Sequence, residues 1–186
     1  MRVTRKGGVT FSQKSGPGYE VTLSMDSVPL RRLNALLDTS DPRILVELQA
    51  TAAEVTAAIQ AHVQVATPVN LGSLRNSIAS EVVTVSSTPV HVVGSVFTNM
   101  IYAVPVELGS RPHMPPQAPI YFWVQRKIHP PQADVARITN AVRWKIFRHG
   151  TKGRHMFSRG VLKAMPFVNR RISQAIERIT ALLGGS

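Results

Sequence analysis

Two histidines six residues apart, His149 and His155, flank the basic run Gly150-Thr151-Lys152-Gly153-Arg154. Such a pair can act as acid and base on a phosphodiester, as in a small ribonuclease. The competing reading is a basic loop that happens to contain two histidines, because a working pair needs a fixed geometry that flanking glycines do not supply. The remaining histidines, at 62, 91, 113 and 129, have no ligand spacing supported by a nearby carboxylate. Gly72-Ser73 lacks the second glycine and the strand–turn–helix setting of a nucleophile elbow. No phosphate-binding glycine loop, dinucleotide fingerprint or zinc-protease helix motif occurs. The chain has no cysteine, which removes disulfides, thiolate metal sites and cysteine nucleophiles together. No cofactor or metal is expected.

Charge is distributed unevenly. The 186 residues carry a formal net charge of +12. Residues 1–107 hold eight Lys and Arg against eight Asp and Glu, so the whole excess lies in residues 108–186, whose acids are Asp134 and Glu177. That asymmetry suggests an acidic partner for the second half: nucleic acid, an acidic protein surface or anionic lipid. Arg143, Lys145, Arg148, Lys152 and Arg154 are the candidate partner-facing cations. No zinc finger, helix-turn-helix or aromatic-studded RNA-binding strand accompanies them, so they would support phosphate contacts alone. No run approaches the roughly 18 apolar residues of a membrane span. The N-terminal MRVTRKGGVTF lacks an apolar signal core, so synthesis in the cytoplasm is the default expectation.

The elements that would position these residues are readable from periodicity. Residues 1–18 read as an arm or loose hairpin, with Val9–Phe11 as a short strand. Tyr19–Met25 alternates as a half-buried strand. A long helix is expected from about Pro42 to about Val65, capped by Ser40 or Asp41, with Pro42 at its first position. Its apolar face is Ile44, Leu48, Ala52, Val55, Ile59 and Val63; His62 flanks it as a structural residue. Glu81–Ser86 and Val90–Phe97 form a hairpin around Ser87-Thr88-Pro89, with Gly94 marking a bulge or a close backbone approach and His91 on the solvent face. Residues 109–119, GSRPHMPPQAP, read as a long, stiff, exposed loop. Helices follow at Ile120–Ile128, at Ala133–His149 with Val135, Ile138, Val142 and Ile146 on one face, and at Val168–Leu183, which Gly184-Gly185 ends. Residues 150–155 read as a flexible basic loop. The fold class is α+β: a small antiparallel sheet from the 81–97 hairpin and the 19–25 strand, packed by the long helix. One domain is expected over 1–186, with an arm at 1–18, a core at 19–118 and a basic helical part at 119–186.

Between the long helix and the hairpin lies TPVNLGSLRNSI, residues 67–78. Thr67-Pro68 ends the helix, since the residue before proline is pushed out of the α region. Asn70-Leu71-Gly72 makes a reversal in which Asn and Gly can both take positive φ. Leu71, Leu74 and Ile78 then share a face, with Arg75 and Asn76 pointing away. The stretch reads as a rigid corner. Arg75 and Glu107 either pair across the fold or stand as two separate solvated charges.

Together with YAVPVELG, residues 102–109, this corner resembles a known family: the small head–tail joining, or tail-completion, proteins of tailed bacteriophages, the lambdoid gene-ten-product-like group. The family pattern runs T-P-V-D-T-G-x-L-R-x-S, then a hairpin, then Y-A-x-x-V-E-[FY]-G-T, a Pro-rich loop and a closing helix. Thr67, Pro68, Val69, Gly72, Leu74, Arg75 and Ser77 match the first motif. Tyr102, Ala103, Val106, Glu107 and Gly109 match the second. Met165-Pro166-Phe167 is similar to the family's entry to the last helix. Asn70-Leu71, Leu108 and Ser110 depart from the pattern, and residues 120–157 are longer than in compact members. The resemblance implies a non-enzymatic virion protein made in the host cytoplasm. It would form a ring in the phage neck, six-fold by preference and twelve-fold as the alternative, between a head-side connector or stopper and the tail terminator or tail tube. Arg111, Pro112, His113, Pro115 and Pro116 would reach a neighbouring subunit, because prolines lower the cost of ordering a loop on a partner. Packaged DNA would make at most passing contact, and no membrane is involved. The alternatives are a basic nucleic-acid-binding protein and a small nuclease using His149 and His155.

Overall fold

The computed structural model describes residues 3–5, 9–12, 19–23, 42–87 and 90–184. It is an α+β structure. Strands β1 (Val3–Arg5), β2 (Val9–Ser12) and β3 (Tyr19–Leu23) precede the long helix α1 (Pro42–Ala66). A single turn, α2 (Ser73–Asn76), leads into β4 (Ala79–Ser87) and β5 (Val90–Thr98). Then come α3 (Ala103–Leu108), β6 (Gly109–Ser110), α4 (Gln117–Lys127), α5 (Gln132–His149), β7 (Thr151–Lys152) and α6 (Met156–Gly184).

The main sheet is antiparallel, in the order β1-β2-β3-β5-β4. The expected hairpin and the 19–25 strand are therefore adjacent, with Val21 opposite Val96. The hairpin register slips between Thr84 and Ser86, which places the bulge there and not at Gly94. Gly94 instead marks a close approach: a Cβ on it would stand 2.4 Å from Thr56 Cγ2 on α1. His91 is exposed, on the solvent side expected of it. Ser40, Asp41, Ser24, Met25 and the Thr88-Pro89 turn lie outside the described residues.

One face of α1 builds the core. Val55, Ile59 and Val63 are buried with Leu74, Ile78 and Val96 on one side and Met156, Phe157, Val161, Ala164 and Val168 of α6 on the other. Ile44 and Ile179 close the far end with Leu48, Ile176 and Leu183. The start of α1 thus meets the end of α6, and the two long helices run antiparallel. Gly160 lets them approach: a Cβ there would stand 2.6 Å from the Val63 Cα. Midway along, the buried Arg171 sends its Nε to Glu54 at 2.6 Å and its Nη1 to Glu47 at 3.0 Å, while Arg178 reaches Glu47 at 3.3 Å.

Three expectations change. The last helix begins at Met156, not Val168, so Met165-Pro166-Phe167 lies inside it. Pro166 is exposed and cannot donate to the Leu162 carbonyl, but water can take its place on that side. The 109–119 stretch is not one loop: Gly109 and Ser110 pair with Lys152 and Thr151, and α4 already starts at Gln117. Proline at 119 falls in the first turn, where no intrahelical N–H bond is lost. Within the 150–155 run, Thr151 and Lys152 are the partner strand of that ladder, and the backbone of Arg154 and His155 is bonded to α3, so the run is not a free loop.

Helices α4 and α5 pack chiefly on each other. Val124 is buried on α4, Val135 and Thr139 on α5. Two contacts tether the hairpin they form: Arg126 Nη1 to Asn70 Oδ1 at 3.4 Å, and Arg143 Nε to the Pro115 carbonyl at 3.0 Å.

Candidate interaction surface

The first motif closes the end of α1. The Thr67 hydroxyl donates to the Val63 carbonyl at 2.7 Å, back-bonding the last turn, and lies 3.4 Å from Met156 Sδ. Gly72 takes the left-handed conformation, φ 86°, and Asn70 does not. Leu74 is buried but Leu71 is exposed, so the helical face is Leu74 and Ile78 alone. A single turn is too short to bury three residues of one stripe. Ser77 Oγ lies 2.6 Å from Thr98 Oγ1, which also accepts from the Met100 N–H at 3.3 Å. Gln60 of α1 fastens the same corner, donating to the Ile78 carbonyl at 2.8 Å and accepting from Ser80 Oγ at 2.7 Å. Pro68 and Arg75 are exposed.

The second motif closes the start of α6. Glu107 is fully buried. Its carboxylate accepts from the Phe157 N–H at 2.9 Å, the Ser158 N–H at 3.2 Å and the Ser158 hydroxyl at 2.9 Å. The first N–H groups of a helix have no intrahelical acceptor, and a carboxylate there also meets the positive end of the helix dipole. The backbone repeats the link: Arg154 N–H donates to the Val106 carbonyl at 2.7 Å and His155 N–H to the Glu107 carbonyl at 3.1 Å. Ala103 is buried in the core beside Met156, and Tyr102 is exposed. Glu107 therefore does not pair with Arg75, whose side chain makes no ion pair or hydrogen bond among the described residues; α6 has taken the carboxylate.

The two motifs meet at one place, the first turn of α6: Thr67 on Met156, Glu107 on Phe157 and Ser158. Spacing alone did not reveal this, because the partners Thr98, Met156, Phe157 and Ser158 lie outside both motifs. The signal available was the acid at 107 in an otherwise apolar run, which needs a polar partner if buried.

The remaining candidates lie on the outside of this corner. Arg111, Pro112, His113 and Pro116 are exposed, with His113 Nδ1 2.8 Å from the Arg111 carbonyl; Pro115 is buried beneath Arg143. Lys145, Arg148, Lys152 and Arg154 are exposed, whereas Arg143 is half-buried and spent on the Pro115 carbonyl. His149 and His155 are both exposed, and His155 holds φ 52° at the entry to α6. Among the described residues neither histidine side chain contacts a carboxylate that would orient it. Among the described residues no cluster of His, Asp or Glu could hold a metal ion, and no helix is long and apolar enough to cross a membrane.

Trp144 and Phe147 were not anticipated. They stand off the Val135–Ile138–Val142–Ile146 stripe of α5, and that offset was the readable sign that they face outward. Comparison of the chain with protein-family models, with curated proteins and with solved structures found no match. The likeness to head–tail joining proteins therefore rests on the two motifs.

Proposed function

We propose that this chain is a structural virion protein that forms a ring in the neck of a tailed phage and joins the DNA-filled head, through its connector, to the tail. The observation that carries the reading is the convergence of the two motifs on the start of α6. Residues 67–77 and 102–109 act as one clasp, as expected of a shared framework and not of two chance matches. The clasp uses Thr67, Ser77 and Glu107 to hold backbone and hydroxyl groups, and it leaves residues 111–114, the β6–β7 ladder and the α4–α5 hairpin on the outside. The mechanism is assembly by burial of surface between subunits, without catalysis. Copies of the chain form the ring, six-fold by preference, with twelve-fold symmetry as the alternative. The head-side stopper or connector and the tail terminator or tail tube are its neighbours, and the basic surface faces them or the passing DNA.

The test is biochemical. Extracts from cells infected with a phage carrying a stop codon early in this gene should contain heads and tails that give no infectious particles. Adding the purified chain should restore infectivity. Extracts that are already infectious, or that purified chain cannot rescue while an extract containing it can, argue against this role for the isolated protein.

A further inference from the structure

The outward face of α5 joins an unusual pair of features. Trp144 and Phe147 are about half exposed, at 52% and 45%, and their rings meet edge to face with centroids 5.4 Å apart. Both sit on the side of α5 away from the buried Val135 and Thr139. The Arg148 guanidinium lies over the Trp144 ring, 5.9 Å from its centroid. Ala141, Trp144, Lys145, Arg148 and His149 line one open depression. Residues 117–155 hold eight Lys and Arg against Asp134 alone, and Asp134 is already bonded to Arg137 at 3.0 Å.

We infer that this face is a docking site for an acidic segment of another protein that carries an apolar anchor residue. Charge complementarity requires an anionic occupant. A second copy of the chain offers little of that charge: among the described residues Glu47, Glu54, Glu107 and Asp134 are bonded internally, which leaves Glu20, Glu81 and Glu177. The aromatic pair then separates the anionic candidates. Duplex DNA binds through phosphates and has no use for two half-exposed rings. Single strands stack bases on open ring faces, but here the rings are near perpendicular and Arg148 covers one face of the indole. An acidic peptide fits both features, with its apolar side chain against Trp144 and Phe147 and its carboxylates on Lys145 and Arg148. Aromatic residues and arginine are the side chains that most often dominate such contacts. The inference stands on this surface alone and holds whether or not the chain is a neck protein.

Trp123→Phe leaves Trp144 as the single tryptophan, so its fluorescence reports on the site. In that background the chain is titrated with a synthetic amphipathic peptide of Glu and Leu, with polyglutamate, and with a short DNA duplex. The expected result is a saturable blue shift with the Glu/Leu peptide, with binding about tenfold tighter than to polyglutamate. Lys145→Glu with Arg148→Glu, and separately Phe147→Ala, should each weaken it about tenfold while circular dichroism stays unchanged. No shift, equal response to polyglutamate, or tighter binding of DNA that Phe147→Ala leaves intact would each overturn the inference.

Discussion

The Glu107 carboxylate sits on the first turn of α6, with Oε2 2.9 Å from the Phe157 N–H and Oε1 2.9 Å from the Ser158 hydroxyl, fifty residues further along the chain. A buried charge is tolerable because three donors face it and the helix dipole is oriented to favour it. Removing the acid leaves those donors buried and unpaired. Glu107→Ala should destabilise the fold by about 3 kcal/mol, and Glu107→Gln, which keeps one acceptor oxygen, by roughly half as much. Urea unfolding of the two variants checks the order. A Glu107→Ala protein as stable as the parent would show that the clasp does not hold α6.

The Arg171 network gives a pH dependence with a definite sign. The hydrogen bond from Arg171 holds the Glu54 carboxyl below its ordinary value of 4.5, and the same bond raises Arg171. A carboxyl whose value is lowered on folding adds stability above its unfolded value and loses it as pH falls through the folded one. Arg171 stays charged throughout the acid range, so Glu54 governs that limb. Glu54 is half exposed, which keeps the effect modest. Thermal melts from pH 7 downward should show Glu54→Gln less stable than the parent at pH 7, with the gap narrowing below about pH 4.5. A gap that does not change with pH would contradict the assignment.

Gly160 sets the spacing of α1 and α6. A methyl group there meets the Val63 backbone, which cannot swing aside as a side-chain tip can. Gly160→Ala should therefore destabilise by about 1–3 kcal/mol, although alanine is the better helix former. The melting temperature checks it, and a rise would mean that the helices are not in close contact at this point.

Thr139 offers a gain. Its hydroxyl is buried in the α4–α5 hairpin and has no hydrogen-bond partner among the described residues. Thr139→Val keeps the shape and removes the unpaired group, so it should stabilise by about 1 kcal/mol. A loss of stability on thermal melting would show that the hydroxyl is bonded.

Much of the fold was legible because its signals are periodic. The stripe from Ile44 to Val63 gave α1, and the two β-rich runs around Ser87-Thr88-Pro89 gave the hairpin. What failed were contacts between segments distant in sequence. Nothing local in GTKGRH says that residues 151–152 pair with 109–110, or that Phe157 and Ser158 wait for the carboxylate of residue 107. Pro166 misled in the usual way: proline signals a helix start, and the signal is wrong when the residue faces solvent inside a long helix fixed by packing elsewhere. The site was half legible. The motifs showed which residues belong to the corner, but their partners were set by the tertiary fold.

The central claim is that this chain joins heads to tails, and electron microscopy of lysates tests it most directly. The phage carries a stop codon early in the gene, grown in a non-suppressing host. The account predicts DNA-filled heads and separate tails of normal length, with few joined particles. Joined, normal and infectious particles in that lysate would contradict it.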